Sequence, residues 1–194
     1  MNGTALVTNE CQRGAIGDKA LWPDLASAAA PMVPVLARLV AAARASGVAV
    51  AHFVAVRRAD LRGANRNAPL FEVSLRARSL VEGTSAVELI PELGPSSTDL
   101  VFPKTHGIAS LRSTGLDAAL RNLDVDTIVI TGVSVNVAIP ALVFEAVNLG
   151  YRVVIPRDAV AGVPPSYASE VVRRSLSLVA SIVSTEELIA GWTR

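Results

Sequence analysis

The chain has 194 residues, 51% hydrophobic and 18% charged, with 18 Lys plus Arg against 17 Asp plus Glu. That balance gives no general electrostatic reason to bind nucleic acid or an anionic membrane, and the apolar share argues against disorder. No apolar run reaches the roughly 18 residues of a membrane span, and one cysteine, Cys11, with two histidines, His52 and His106, argues against an internal disulfide or a Cys- or His-rich metal centre.

Residues 4–8 form a short apolar run of β-formers followed by polar residues 9–14, which predicts a buried strand ending in a loop. Pro31 stands near the start of an Ala/Leu/Val helix reaching about 45, stopped by Gly47. Residues 48–56 are almost continuously apolar, the pattern of a parallel strand covered on both faces. Over 57–97 the pattern loosens, with one short helix predicted around 71–80. A third strand is predicted at 100–102, ended by Pro103, then a helix over 115–123 and a fourth strand over 127–131, ending at Gly132. Val135, Ile139, Leu142, Val143, Ala146 and Val147 keep to one helical face, and Gly150 stops that helix. A strand at 152–155, a helix from 166 to about 180 and a strand at 182–183 follow; Thr185 is read as the cap of a last helix running to Gly191. Strands alternating with helices predict an α/β domain spanning 1–194, its mainly parallel sheet of about six strands covered on both faces. Ligands in such sheets bind beyond the carboxyl ends of the strands. That rule selects residues 9–13, 52–58, 104–106, 132–138 and 157–158.

Several of those segments resemble one family. Ala5-Leu-Val-Thr-Asn-Glu-Cys-Gln12 is similar to the first-strand motif of the isochorismatase-like, or cysteine hydrolase, superfamily: an apolar strand, an acid, any residue, then Gln. Val101-Phe-Pro-Lys104 resembles its catalytic-lysine segment, and Thr131-Gly-Val-Ser-Val-Asn-Val-Ala-Ile139 its strand-to-helix elbow. The stretch from Glu145 to Ala159 resembles the helix, Gly-Tyr turn and Asp-Ala strand end that follow. The resemblance implies a Rossmann-like three-layer sandwich, a small-molecule substrate and assembly into dimers or higher oligomers. It also implies that the Val133–Ser134 peptide is cis.

Position by position, the family acid falls at Glu10, where aspartate is usual, the lysine at Lys104, and the nucleophilic cysteine at Ala138, which carries no nucleophilic atom. Because the acid departs from the pattern as well, Ala138 is read as a natural loss. The family triad has the acid take the thiol proton while lysine favours the thiolate and backbone N–H groups hold the oxyanion. Without sulfur, an acid, a cation and a positive helix end remain. Two routes stay open: Glu10 protonating a vinyl ether, as in isochorismatases proper, or Glu10 activating water against an amide or ester carbonyl. Glu10 and Lys104 are therefore the candidate catalytic residues, with Ser134, Ala138 and His106 lining the substrate site. The alternative is a non-catalytic protein that kept the fold and binds a ligand or partner.

Cys11 is expected to be buried and off the pocket, and His52 to be a core histidine. Ser134 and Asn136 are read as helix caps, since no Gly-x-Ser-x-Gly motif is present. Arg57, Arg58, Arg62, Arg66, Arg76 and Arg78 make the middle segment basic, either as solvated surface or as a lid attracting a carboxylate. Asp158 is a candidate for holding its strand-end turn or for a salt bridge in the neighbourhood of Arg157, without a part in the chemistry. No cofactor or metal is expected, nor a nucleic-acid or membrane partner. The absence of a basic, apolar leader suggests a cytoplasmic protein.

Overall fold

A computed structural model describes residues 3–94, 96–109 and 111–193, so the ends of the expected domain lie outside the described residues. The elements run β1 (Thr4–Asn9), α1 (Arg13–Ile16), α2 (Pro23–Ala29), α3 (Met32–Ala45), β2 (Ala49–Ala55), α4 (Pro69–Arg76), β3 (Leu100–Lys104) and α5 (Leu111–Thr114). They continue with α6 (Leu116–Asn122), β4 (Thr127–Val133), α7 (Ala138–Asn148), β5 (Arg152–Pro156), β6 (Val160–Ala161), α8 (Pro165–Arg174), β7 (Ser181–Val183) and α9 (Thr185–Trp192). The strands among the described residues pair in parallel in the order β3-β2-β1-β4-β5-β7, with β6 against the end of β4.

Side-chain alternation divides the core into two layers. Val7, Phe53 and Ile130 face α6, α7 and α8, where Leu120, Ile139 and Leu142 meet them. Leu6, Val50 and Val129 face α3 and α9 on the other side. On α3, Leu36, Leu39, Val40 and Ala43 follow helical spacing and are fully buried. Each such leucine contributes about 1.5–3 kcal/mol relative to exposure. The expected three-layer α/β sandwich is what folds. Among the described residues no single helix is long and apolar enough to cross a membrane.

Four expectations are corrected. β3 does not end before Pro103 but runs through it to Lys104, because β3 is the edge of the sheet and an edge strand tolerates a residue without an N–H. β4 likewise continues through Gly132 to Val133: at φ +98° the glycine keeps the pairing with Asn9, whose carbonyl a Cβ would meet at 2.3 Å. The helix expected to reach about residue 180 ends at Arg174, followed by a short 3-10 turn at Leu176–Leu178. Ser184, not Thr185, caps α9, through a reciprocal capping box with Glu187. Thr185 instead donates its N–H and hydroxyl to Asp158 Oδ1, at 2.9 and 3.0 Å, and so ties the turn after β5 to α9.

Candidate active site

Four neighbouring strands, β3, β2, β1 and β4, deliver their carboxyl ends to one cleft of about 140 Å³. Glu10 follows β1 at φ +54°, a turn that ends the extended run just where its carboxylate meets the cleft. Gln12 fixes that turn. Its fully buried carboxamide accepts from Ala55 N at 2.7 Å and donates to Ala55 O and Val87 O at 3.0 and 2.9 Å. The motif glutamine is thus a structural tie between the ends of β1 and β2.

Lys104, at the end of β3, donates to Glu10 Oε1 although the two lie 94 positions apart. The lysine side chain is 4% exposed and that of Glu10 23%, so the carboxylate is the partner open to the cleft. A buried ammonium needs such a partner, since unpaired burial of a charge is strongly unfavourable. Lys104 also reaches Ile108 O at 3.4 Å.

Ser134 and Ala138 line the same cleft from the elbow between β4 and α7. The Val133–Ser134 peptide is cis. Neither Ser134 nor Asn136 caps α7, which starts only at Ala138 and has no side-chain cap. Instead the Ser134 carbonyl accepts from Val137 N and Ile139 N at 3.2 and 3.0 Å, and Asn136 bonds the Val163 backbone. The elbow is held further by Asn9, whose Nδ2 donates to Val133 O at 2.5 Å, and by Val135 N donating to Ala161 O at 2.9 Å. His106 is exposed at the cleft mouth, its Nδ1 3.1 Å from Thr105 Oγ1.

The structure therefore brings together Glu10, Lys104, Ser134, Ala138 and His106. Cys11 stays out. It is fully buried behind β1, with Sγ 3.6 Å from Asn9 O, and burial pushes its thiol up to about 12. His52 is buried on the sheet, between Thr8 Oγ1 at 2.7 Å and Asp99 Oδ2 at 3.1 Å. Trp22, Phe71, Asn65 and Arg57 line the cleft without having been individually legible as site residues. Among the described residues no group of three His, Cys, Asp or Glu side chains gathers that would hold a metal ion.

Comparison with known proteins gives the family. An isochorismatase domain matches residues 4–187. The chain belongs to the isochorismatase family. Among curated relatives it is 27% identical over 183 residues to ureidoacrylate amidohydrolase RutB of Serratia proteamaculans, covering 86% of this chain and 73% of the relative. Among solved structures it is similar to an isochorismatase family protein from Desulfovibrio vulgaris, at a TM-score of 0.84 and 26% identity with both chains fully covered. It is also similar to a cysteine hydrolase from Pseudomonas syringae pv. phaseolicola, at a TM-score of 0.81 and 27% identity over 98% of this chain and 92% of that one. The protein is a hydrolase of the isochorismatase family.

Proposed function

We propose that this isochorismatase-family hydrolase cleaves a small amide or ureido C–N bond with water in place of the sulfur nucleophile. One observation carries this: the Glu10 carboxylate, held by Lys104 through Oε1, stands at an open cleft beside Ala138, where a side chain of one methyl group leaves room for a water molecule. In this reading Oε2 of Glu10 takes a proton from that water as its oxygen bonds to the substrate carbonyl carbon. The oxyanion lies against the N–H of Ala138, which opens α7 and has no acceptor among the described residues. Collapse breaks the C–N bond, and Glu10 returns the proton to the departing nitrogen. Lys104 holds the carboxylate in one orientation throughout.

The amide preference follows the amidohydrolase name of the curated relative. Esters and vinyl ethers are the neighbouring substrate classes. The missing sulfur at Ala138 favours a second reading, a protein that binds such a molecule without turning it over.

The test is an activity screen over small amides, ureido acids, esters and vinyl ethers, run beside Glu10→Gln. Because Glu10→Gln leaves Lys104 buried without its acid, folding of the variant is checked by circular dichroism. Hydrolysis of an amide by the parent, lost in a folded Glu10→Gln, is the expected result. Turnover that survives the substitution excludes Glu10 as the base, and no turnover of any class with measurable ligand binding favours the second reading.

A further inference from the structure

Six arginines crowd the segment after β2, and the structure separates them. Arg58 is paired with Asp60 and Arg76 with Glu72, Arg78 donates to Ala59 O, and Arg62 and Arg66 lie at the surface. Arg57 differs from all of them: it alone lines the cleft.

Its backbone is pinned on both sides, with Arg57 N donating to Leu80 O and Glu82 N donating to Arg57 O, each at 2.8 Å. Its guanidinium is held by neutral acceptors, Nη1 to Ser79 O at 3.0 Å and Nη2 to Ser74 Oγ at 2.9 Å. Ser74 is itself buried on α4 and bonded to Leu70 O and Phe71 O, both at 3.1 Å, so the fork has a fixed seat. A guanidinium carries five N–H donors. With two of them spent, three remain, and no carboxylate among the described residues is ion-paired with it. Glu10, across the cleft, is already taken by Lys104. Among the described residues, and with His106 counted as neutral, the charged groups lining the cleft are thus Glu10, Lys104 and Arg57, one anion against two cations. Burial opposes the charge on Arg57, and the field of Glu10 restores only part of it.

We infer that Arg57 is the subsite for a carboxylate on the substrate, so that the molecule turned over is a small monoanion with an apolar body. A planar fork with unspent donors matches a carboxylate in bidentate fashion, and a single negative charge balances the cleft. Phe71 and Leu70 of α4 supply the apolar wall next to it. Seating an acid at Arg57 leaves its other end toward Glu10 and the elbow, where the bond to be cleaved lies. This deepens the proposed function and rests on it for the position of that bond, while the anion contact stands on Arg57 itself.

The experiment uses two probes that cannot be hydrolysed, 3-phenylpropionate and its neutral counterpart 3-phenylpropan-1-ol, with binding to the full chain followed by calorimetry. The parent is expected to bind the carboxylate at least tenfold more tightly than the alcohol. Arg57→Gln is expected to abolish that preference while leaving alcohol binding unchanged, which also shows that the cleft is intact. Arg57→Lys retains part of the preference, as a point charge does without the fork. Equal affinity for both probes in the parent, binding of neither, or a preference that survives Arg57→Gln overturns the proposal. If Arg57→Gln fails to fold, Ser74→Ala tests the same seat, and an unchanged preference there counts against it. Failure to hydrolyse any amide alongside a carboxylate preference removes the catalytic reading and leaves the subsite.

Discussion

Asn136 Oδ1 accepts from Val163 N at 2.8 Å while its Nδ2 donates to Val163 O, so one carboxamide satisfies both polar groups of a backbone unit 27 positions away. The elbow that ends β4 and the loop that follows β6 are thereby one rigid piece. Gly162 sits directly beneath: a Cβ there would lie 2.6 Å from Asn136 Oδ1.

The first prediction follows from that stacking. Asn136→Ala leaves the Val163 N–H and carbonyl without partners and costs about 1–3 kcal/mol. Gly162→Ala displaces the same carboxamide and costs a comparable amount. Because both act on one contact, the double variant is expected to lose clearly less than the sum, by 0.5 kcal/mol or more. Urea denaturation of the four proteins checks this, and strict additivity means that the clamp is not shared.

A second prediction concerns pH. The Asp99 carboxylate can only accept, which assigns the proton of His52 to Nε2 and makes Nδ1 the acceptor of the Thr8 hydroxyl. Burial holds His52 below its ordinary value of about 6.5, outweighing the opposing pull of Asp99. The unfolded chain therefore binds the proton more readily, and stability falls as pH drops below about 6.5 toward the lower folded value. The slope is bounded by one proton, at most about 1.4 kcal/mol per pH unit. Asp99 shifts in the same direction but in a more acidic range. Burial raises it, but the bonds from Arg44 and His52 bring it below the usual carboxylate value, so its contribution is lost only in stronger acid. Unfolding free energies between pH 7.5 and 5 are expected to show the His52 slope in the parent and to lose it in His52→Asn. The same slope in both assigns it elsewhere.

Cys11 supplies a third. With no exposure and a thiol pushed up to about 12, it is expected to react with iodoacetamide only as fast as the fold opens. Mass spectrometry against time, compared with global unfolding rates, checks this. Rapid labelling with parallel loss of activity would make Cys11 a relocated nucleophile.

The fourth prediction places a sulfur at the position where the family resemblance expects one. Ala138→Cys puts a thiol at the first turn of α7, where the helix end and Lys104 favour thiolate. Glu10 is one methylene longer than aspartate, so its carboxylate crowds that sulfur. Amidase activity is expected to recover little in the single variant and at least tenfold more when Glu10→Asp is added, both proteins being equally folded. A single variant that matches the double makes Ala138 the only departure that matters.

The strands buried on both faces were the most legible part of the chain, because β1, β2 and β4 carry short apolar, β-branched runs bounded by polar residues or glycine. Helix α7 was legible by its face but not by its start. Val135 belongs to the same apolar pattern yet is drawn off to Ala161 by a long-range bond. Whether a strand is central or at the edge is a tertiary fact, which is why Pro103 misplaced the end of β3. Glu10 and Lys104 could be found through their motifs. Arg57 could not be singled out from five other arginines, since what distinguishes it is the pair of acceptors at Ser74 and Ser79, brought to it by folding.

Pro103 has one more effect, at the rim of the molecule. The Lys104 carbonyl points inward to accept from Val56 N at 3.0 Å, so by strand alternation the backbone of Pro103 points outward. The open side of β3 therefore lacks a donor at its fourth residue, next to the carboxyl end, where an incoming strand would need one. A strand added there from another chain forgoes one ladder bond, so a single missing hydrogen atom disfavours edge pairing on the side of the fold nearest Lys104.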